Sequence, residues 1–454
     1  MKNNNDSLPT RRSAIRPQRV ACNTSSTAER ACVERRDSLQ VIVQKYGGSS
    51  VSTVEKIRAV AERIVKVTRQ GHAVVVVVSA MGDTTDNLLE LARQVGPHLS
   101  LRDLDVLLST GETVSAALLS LAIQSLGQPA VSLSASQCGI ITNDVHCNAR
   151  ILEVRSERIR KELAQGNVVV VPGFQGVTAE QQITTLGRGG SDTSAVAIAA
   201  ALEAETCEIY TDVEGVYSVD PRMVPEAVAL SELSAAEMQE LAWHGAQVLK
   251  AEAVEFAKTN GVAVVVRSAF ADDQGTLIPP ESRQSSVYRP NRREVAGVTG
   301  RKDLIRITLN GSHRDEVFAA VAKYDLIFGG LNGTGEASDL FISNLEIPEP
   351  ETFTAEFAPR FDGAVQLTGD LGAVSLIGFG LGSRPAALLE ALRVLEEEDV
   401  PVIKSFTGRE SLTFVIPRPL VDHSVKRLHR VFVENHEPAV QVNRGDTQRT
   451  AEKN

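Results

Sequence analysis

Two glycine-rich segments carry the residue types best suited to chemistry. The first is Lys45-Tyr46-Gly47-Gly48-Ser49-Ser50-Val51, and the second is Thr185-Leu186-Gly187-Arg188-Gly189-Gly190-Ser191-Asp192. Glycine lets the backbone approach a ligand closely and take conformations barred to other residues. The stretch that follows the second segment, residues 193–202, is rich in Ala and free of Gly and Pro, which predicts a helix. A helix opening on such a turn points free N–H groups and a partial positive charge outward, toward a phosphate or a carboxylate. Arg188 adds a planar fork able to hold a carboxylate at two points. Neither segment has the Walker A or the G-x-G-x-x-G spacing. One Gly-rich turn by itself is often only a tight connection. Two in one domain, one with a lysine and one with an arginine, point to an anionic ligand.

The elements around these turns must hold them in one place. Residues 39–45 read as a buried strand, and a helix with apolar positions at Val54, Ile57, Val60, Ala61 and Ile64 follows the first turn. That order, strand, glycine turn, helix, is the order of a phosphate-binding βα unit. Further strands are predicted at 73–79, 130–134, 168–172, 207–211 and 262–266. Helices are predicted at 85–94, 101–126, 191–202, 235–243 and 247–259. This alternation predicts an α/β domain over 39–270, with a mostly parallel sheet sandwiched by helices. Ligands of such sheets bind at the carboxyl ends of the strands, where both glycine turns fall. Residues 271–293, with Gly275, Pro279, Pro280 and Pro290, read as a linker. Beyond it the pattern repeats as two small α+β units, 294–365 and 366–440, before a loose tail over 441–454.

Composition sets outer bounds. The chain has 454 residues, 43% of them hydrophobic, enough for two or three domains with full cores. Its net charge of −10 argues against a nucleic-acid partner. No run reaches the ~18 consecutive apolar residues of a membrane helix, so no membrane partner is expected. The five cysteines, Cys22, Cys32, Cys138, Cys147 and Cys207, show no metal spacing and read as reduced thiols of a cytoplasmic protein. Residues 1–38 carry eight Lys and Arg against four Asp and Glu and are expected to be a disordered extension. Arg11-Arg12 lacks the apolar stretch that a twin-arginine signal needs.

Six ordered motifs give the chain a family resemblance over roughly residues 40–435. They are Lys45 to Ser50, Ser79-Ala80-Met81-Gly82-Asp83-Thr84-Thr85, Gly111-Glu112-Thr113-Val114-Ser115, Gly173 to Gly176, Thr185 to Asp192, and the run from Tyr210 to Arg222. In these it resembles the aspartate kinases, whose amino-acid-kinase domain is followed by two ACT domains. The resemblance implies transfer of a phosphoryl group from ATP, with its Mg2+, to the side-chain carboxylate of L-aspartate. It implies a homo-oligomer formed through the ACT domains and a place in lysine, threonine and methionine biosynthesis. By position it makes Lys45 and Asp192 the catalytic pair. Lys45, Tyr46, Gly47, Gly48 and Ser49 would line the phosphates, and Thr211, Asp212, Tyr217, Asp220 and Arg222 would lie on the nucleotide loop. Glu112 would receive the substrate ammonium and Arg188 its α-carboxylate, with Ser79, Thr85, Gly189, Gly190 and Ser191 beside them. No protein-held metal is implied.

The chemistry agrees with these residue types. A carboxylate with an ordinary pKa of about 3.9 is already an anion at neutral pH and needs no general base. It needs relief from repulsion as it approaches a phosphate, which cations and helix N-termini supply. The plain structural readings are an N-cap for Asp192, a first-turn acid for Glu112 and a turn for Asp220-Pro221. Trp243 reads as core, and His146 and His244 have no partner pattern.

The chain also departs from the family pattern. Gly245-Ala246-Gln247-Val248-Leu249 has a neutral glutamine where the family carries a lysine expected near the nucleotide phosphates. If 247–259 is helical, Lys250 lies within ~60° of the same face. The first C-terminal unit has Ser312-His313-Arg314-Asp315 before its helix, and Ile327 to Gly335 replaces its usual strand and effector loop, so weak feedback inhibition is expected. Two other readings stand beside the kinase: another carboxylate kinase of the same superfamily, and a non-catalytic amino-acid-sensing partner.

Overall fold

The computed structural model describes residues 40–435, apart from 97, 188, 247, 272, 281–292, 311–312, 322–325, 331–336, 345–346, 348–349 and 362. The expectations for 1–38 and 441–454, and the positions of Arg188 and Gln247, lie outside the described residues.

The first half is built on a seven-stranded sheet. Its strands are β1 (Val41–Tyr46), β2 (Ala73–Val78), β3 (Ala130–Ser132), β6 (Val168–Pro172), β9 (Thr206–Thr211), β10 (Val264–Ser268) and β11 (Thr276–Ile278), in the spatial order β11-β10-β9-β1-β2-β6-β3. All neighbours are parallel except β10 and β11. β2 is a run of one Ala and five Val, and every one of its residues is buried, as expected of a central strand covered on both faces. On one face lie α1 (Val54–Arg69) and α3 (Leu101–Ser125), packed around Ile57, Val60, Ile64, Leu119 and Ile123. On the other lie α6 (Gly190–Leu202), α7 (Ala235–Trp243) and α8 (Ala251–Asn260), around Val196, Ile198, Met238 and Val254. A second, smaller sheet joins β4 (Ile140–Thr142), β5 (Ile151–Val154), β7 (Gln175–Val177) and β8 (Ile183–Thr185). It delivers the second glycine turn.

Four differences from the sequence reading have clear causes. α8 begins at Ala251, with Lys250 as its N-cap, so 248–250 are not helical and the helical-face argument for Lys250 does not hold. The segment read as a linker contains β11, whose Leu277 pairs with Val265 and so closes the sheet edge. The 25-residue α3 is long and apolar enough by composition to cross a membrane, because Ser, Thr and Gly dilute its apolar residues only slightly. Half of its most apolar window is buried inside the fold, as in a core helix.

The fourth concerns the C-terminal half. Its strands are β12 (Gly297–Asn310), β13 (Leu326–Gly330), β14 (Ala337–Ser343), β15 (Val365–Ile377), β16 (Lys404–Thr407) and β17 (Ser411–Pro417). They form one antiparallel sheet in the order β13-β14-β12-β15-β17-β16. Residues 297–357 and 365–429 each run strand, helix, two strands, helix, and the long first strands, β12 and β15, pair with each other. Of 327–335, read as replacing a strand and effector loop, 327–330 do lie in a strand, β13, and 331–335 lie outside the described residues. The second repeat adds α11 (Pro385–Glu397) and α12 (Val421–His429), whose Ala391, Leu395, Val425 and Leu428 fill the core with Val374 and Phe414. Val219 and Val224 of the first half join that core.

Candidate active site

The site forms where β1, β2, α3 and α6 converge. Side chains alternate along a strand, so β1 turns Gln44 and Tyr46 toward α1 and Lys45 toward α6. There the Lys45 ammonium meets the Asp192 carboxylate at 2.6 Å, and both side chains are largely buried. Gly189, not Asp192, is the N-cap of α6, at φ +73, so Asp192 stands in the first turn of the helix with no capping duty. Its N–H donates to the Gly189 carbonyl at 3.1 Å. The pair is therefore fixed by the strand end on one side and the helix start on the other.

The first glycine turn is wedged against the segment after β2. A Cβ at Gly48 would lie 2.8 Å from the Ala80 carbonyl oxygen, and the Gly82 N–H donates to the Gly48 carbonyl at 3.1 Å. Gly47 lies over the lysine: a Cβ there would be 3.7 Å from Lys45 Nζ. Ser49 is exposed, whereas the Ser50 hydroxyl is buried without a partner among the described residues. The Ser79 N–H is held by the Tyr46 carbonyl at 3.1 Å, and Thr85 lies in the first turn of α2 (Thr84–Val95).

Glu112 comes to the same place from α3. It is buried, and its Oε1 accepts the Ala80 N–H at 3.1 Å, while Oε2 has no partner among the described residues. Burial outweighs that hydrogen bond and pushes the carboxyl up to about 7. A buried acceptor without a donor is costly unless something fills the place. The first-turn reading of Glu112 is excluded, since it is the twelfth residue of α3.

At the second turn, Gly190 packs so closely on Leu186 and Phe174 that a Cβ would lie 2.6 Å from the Leu186 Cβ. Ser191 is buried against Gly173. Phe174 holds the left-handed conformation at φ +68, and its N–H donates to the Ser194 hydroxyl at 3.1 Å. Strain of this kind collects where the surroundings over-determine a backbone.

The predicted nucleotide loop divides in two. Thr211 ends β9 and Asp212 follows it, beside the first turn, where the Gly47 N–H donates to the Tyr210 carbonyl at 3.3 Å. Further on, the Tyr217 hydroxyl donates to Glu214 at 3.3 Å. Arg222 grips Asp220 with Nε at 3.1 Å and Nη2 at 2.9 Å, and both are flanked by Val219 and Val224 in the C-terminal core. Asp220 and Arg222 are thus paired with each other.

Several positioning residues escaped the sequence reading. Asp105, fully buried on α3, accepts from the Thr185 hydroxyl at 2.5 Å and the Cys147 N–H at 3.1 Å, and meets His146 Nδ1 at 2.6 Å. It ties the second glycine turn to α3 and gives His146 a partner. An acid inside Leu104-Asp105-Val106-Leu107-Leu108 was the available signal. Beneath the sheet, Glu208 accepts from Gln44 at 2.9 Å and from the Tyr210 hydroxyl at 3.0 Å, and Tyr210 stacks on Tyr46. His244 is buried against Phe328, shares a hydrogen bond with Ser375 at 3.1 Å and meets Glu240 at 2.9 Å. Trp243 is half-buried, and its carbonyl accepts from Arg301 at 2.9 Å.

Comparison with known proteins bears on this geometry. The amino acid kinase family matches residues 40–268. The aspartokinase of Geobacillus stearothermophilus is 41% identical over 403 residues, covering 86% of this chain and 97% of that protein. The aspartokinase of Corynebacterium glutamicum is 40% identical over 418 residues, covering 87% and 96%. Among solved structures, E. coli aspartokinase III in complex with aspartate and ADP aligns with a TM-score of 0.74 over 86% of this chain and 99% of that one, at 22% identity, a likeness of fold.

Proposed function

This chain belongs to the aspartokinase family, and on that premise we propose how its cleft transfers the γ-phosphoryl group of ATP to L-aspartate. The products are 4-phospho-L-aspartate and ADP. The observation that carries the reading is the convergence on Ala80. Its carbonyl abuts the Gly48 turn, and its N–H holds one oxygen of Glu112 while the other lies open. A phosphate-binding turn and an unpaired buried acid thus share one wall.

In this reading the substrate ammonium pairs with Glu112 Oε2, and Arg188 takes the α-carboxylate. Once the amino acid is held at that end, its side-chain carboxylate is directed toward Lys45. An oxygen of that carboxylate forms a bond to the γ-phosphorus as the bond to the ADP oxygen breaks. No proton moves, because the nucleophile is already ionised. Lys45 lowers the repulsion between the two anions, Asp192 fixes the lysine at 2.6 Å, and the free N–H groups of the first turn and of α6 face the phosphates. Mg2+ is taken to arrive on the nucleotide and to offset its charge. The residue types fit such an anion: the Lys45 ammonium lies beside the Gly47 turn, 3.7 Å from where a Cβ at Gly47 would stand.

The decisive experiment is an ATP-dependent hydroxamate assay on the purified chain alone, with aspartate and glutamate compared. Product with aspartate alone supports the reading. Product with glutamate alone makes it a sibling carboxylate kinase, and none with either makes it a non-catalytic partner. Self-association through the C-terminal sheet, cytoplasmic residence and weak inhibition by lysine and threonine belong to the same proposal. Sedimentation, cell fractionation and titration with each amino acid test them.

A further inference from the structure

We propose that Lys250 is a phosphate-binding residue of this cleft, its ammonium carried across Gly189 to the nucleotide's phosphates. The inference rests on the ATP reading above and assigns a residue to it. It starts from a contact. A Cβ built at Gly189 would lie 1.9 Å from Cγ of Lys250 and 2.7 Å from both its Cδ and Cε. The whole aliphatic stem of the lysine is therefore laid along the one face of Gly189 that any other residue would fill. Gly189 is doubly required, by this stem and by its φ of +73.

Position gives the contact its meaning. Gly189 caps α6, and its carbonyl receives the Asp192 N–H at 3.1 Å. Asp192 in turn holds Lys45 at 2.6 Å. The stem of Lys250 thus crosses the helix start one turn from the catalytic lysine. Charge then matters. Lys45 is neutralised by Asp192 before any ligand arrives, so the pair brings no net positive charge to a polyanion. The Lys250 carbonyl accepts the Val254 N–H at 3.1 Å, but its ammonium makes no hydrogen bond or ion pair among the described residues. Lys56, by contrast, is engaged by the Ser49 carbonyl at 2.8 Å and the Ser52 hydroxyl at 3.0 Å. A lysine with an ordered stem and an unmatched ammonium at a glycine-capped helix start is placed to meet an anion. The route is not helical geometry. Lys250 is the N-cap residue of α8, with an extended backbone at φ −75 and ψ 141, and this directs it back over the second turn. A point charge three residues beyond the neutral Gln247 thereby reaches the phosphate region.

Two measurements test the assignment. In the first, Lys250→Met, which keeps the stem and removes the charge, is assayed at saturating aspartate. The KM for ATP should rise about tenfold, as expected for loss of one charge-assisted contact, while the KM for aspartate stays within about twofold. Lys250→Arg should stay near wild type, and Gln247→Lys should restore the Lys250→Met enzyme. In the second, the wild-type chain is acylated with a lysine-reactive reagent, with and without ATP and Mg2+, and Lys250 is followed by peptide mass spectrometry. ATP should protect it. This needs no variant to fold. An unchanged KM for ATP, or equal labelling with and without nucleotide, overturns the proposal. A wild-type chain that neither turns over nor binds ATP sinks the ATP reading itself, which is a different outcome.

Discussion

Glu112 should make aspartate binding depend on pH in a window where ordinary carboxylates are silent. Its carboxyl is held at about 7 by burial, and only the ionised form can pair with the substrate ammonium. The competent fraction is then roughly 0.9 at pH 8 and roughly 0.1 at pH 6. The KM for aspartate should therefore rise about tenfold between those values, with kcat at saturation changing far less. Glu112→Gln keeps the shape, removes the charge and should flatten this slope. It should also raise the KM for aspartate by roughly ten- to a hundredfold, the worth of one charged hydrogen bond. Initial rates of ADP release at saturating ATP read both enzymes, and their ratio cancels the nucleotide's own titration. The free enzyme carries the counterpart in stability. The folded pKa lies above the ordinary 4.5, so the contribution of the protonated carboxyl is complete below about 4.5 and is lost as pH rises through about 7. The loss is on the order of 3 kcal/mol, so Glu112→Gln without substrate should melt higher than wild type at pH 8. Parallel KM profiles for wild type and variant would refute the assignment of Glu112 to the ammonium.

Other substitutions probe the rest of the frame. Lys45→Met should lower kcat by about a hundred- to a thousandfold in the same assay, as for other preorganised charges aimed at a transition state, and should also lower the melting temperature because Asp192 loses its buried partner. Asp105→Ala leaves Thr185, the Cys147 N–H and His146 without their common acceptor. It should cost about 3 kcal/mol in urea unfolding and raise the KM for aspartate through the slackened second turn. Gly48→Ala drives a methyl to 2.8 Å from a backbone oxygen. It should cost about 1–3 kcal/mol and weaken ATP more than aspartate in equilibrium binding.

Much of the frame was legible because single residues carry unambiguous physics. The valine run of β2 allows little but a central parallel strand, and the two glycine turns fall at strand and helix ends as their composition requires. Glu112 and Lys45 were found by motif, but their burial was not visible in the string. Asp105 was missed because one acid in a leucine-rich helix looks like noise until its three donors, all more than forty residues away, are assembled. Gly189 hides its use for the same reason: what it makes room for lies 61 positions further along, in Lys250. The repeats after residue 294 were visible as a period. Their mutual pairing was not, since long-range register depends on which edges meet rather than on either segment alone.

That shared C-terminal sheet limits how the protein can be shortened. β12 is 14 residues long and β15 is 13, and each is the other's neighbour along most of its length. A fragment ending before Val365 would strip one flank of β12 and leave a bare ladder of amides and carbonyls, the kind of border that recruits foreign strands. It would also remove α12, whose Val425 and Leu428 share a core with Val219 and Val224 of the first half. A fragment that stops before Val295 avoids the bare edge of β12 but still uncovers Val219 and Val224, so both truncations expose apolar surface.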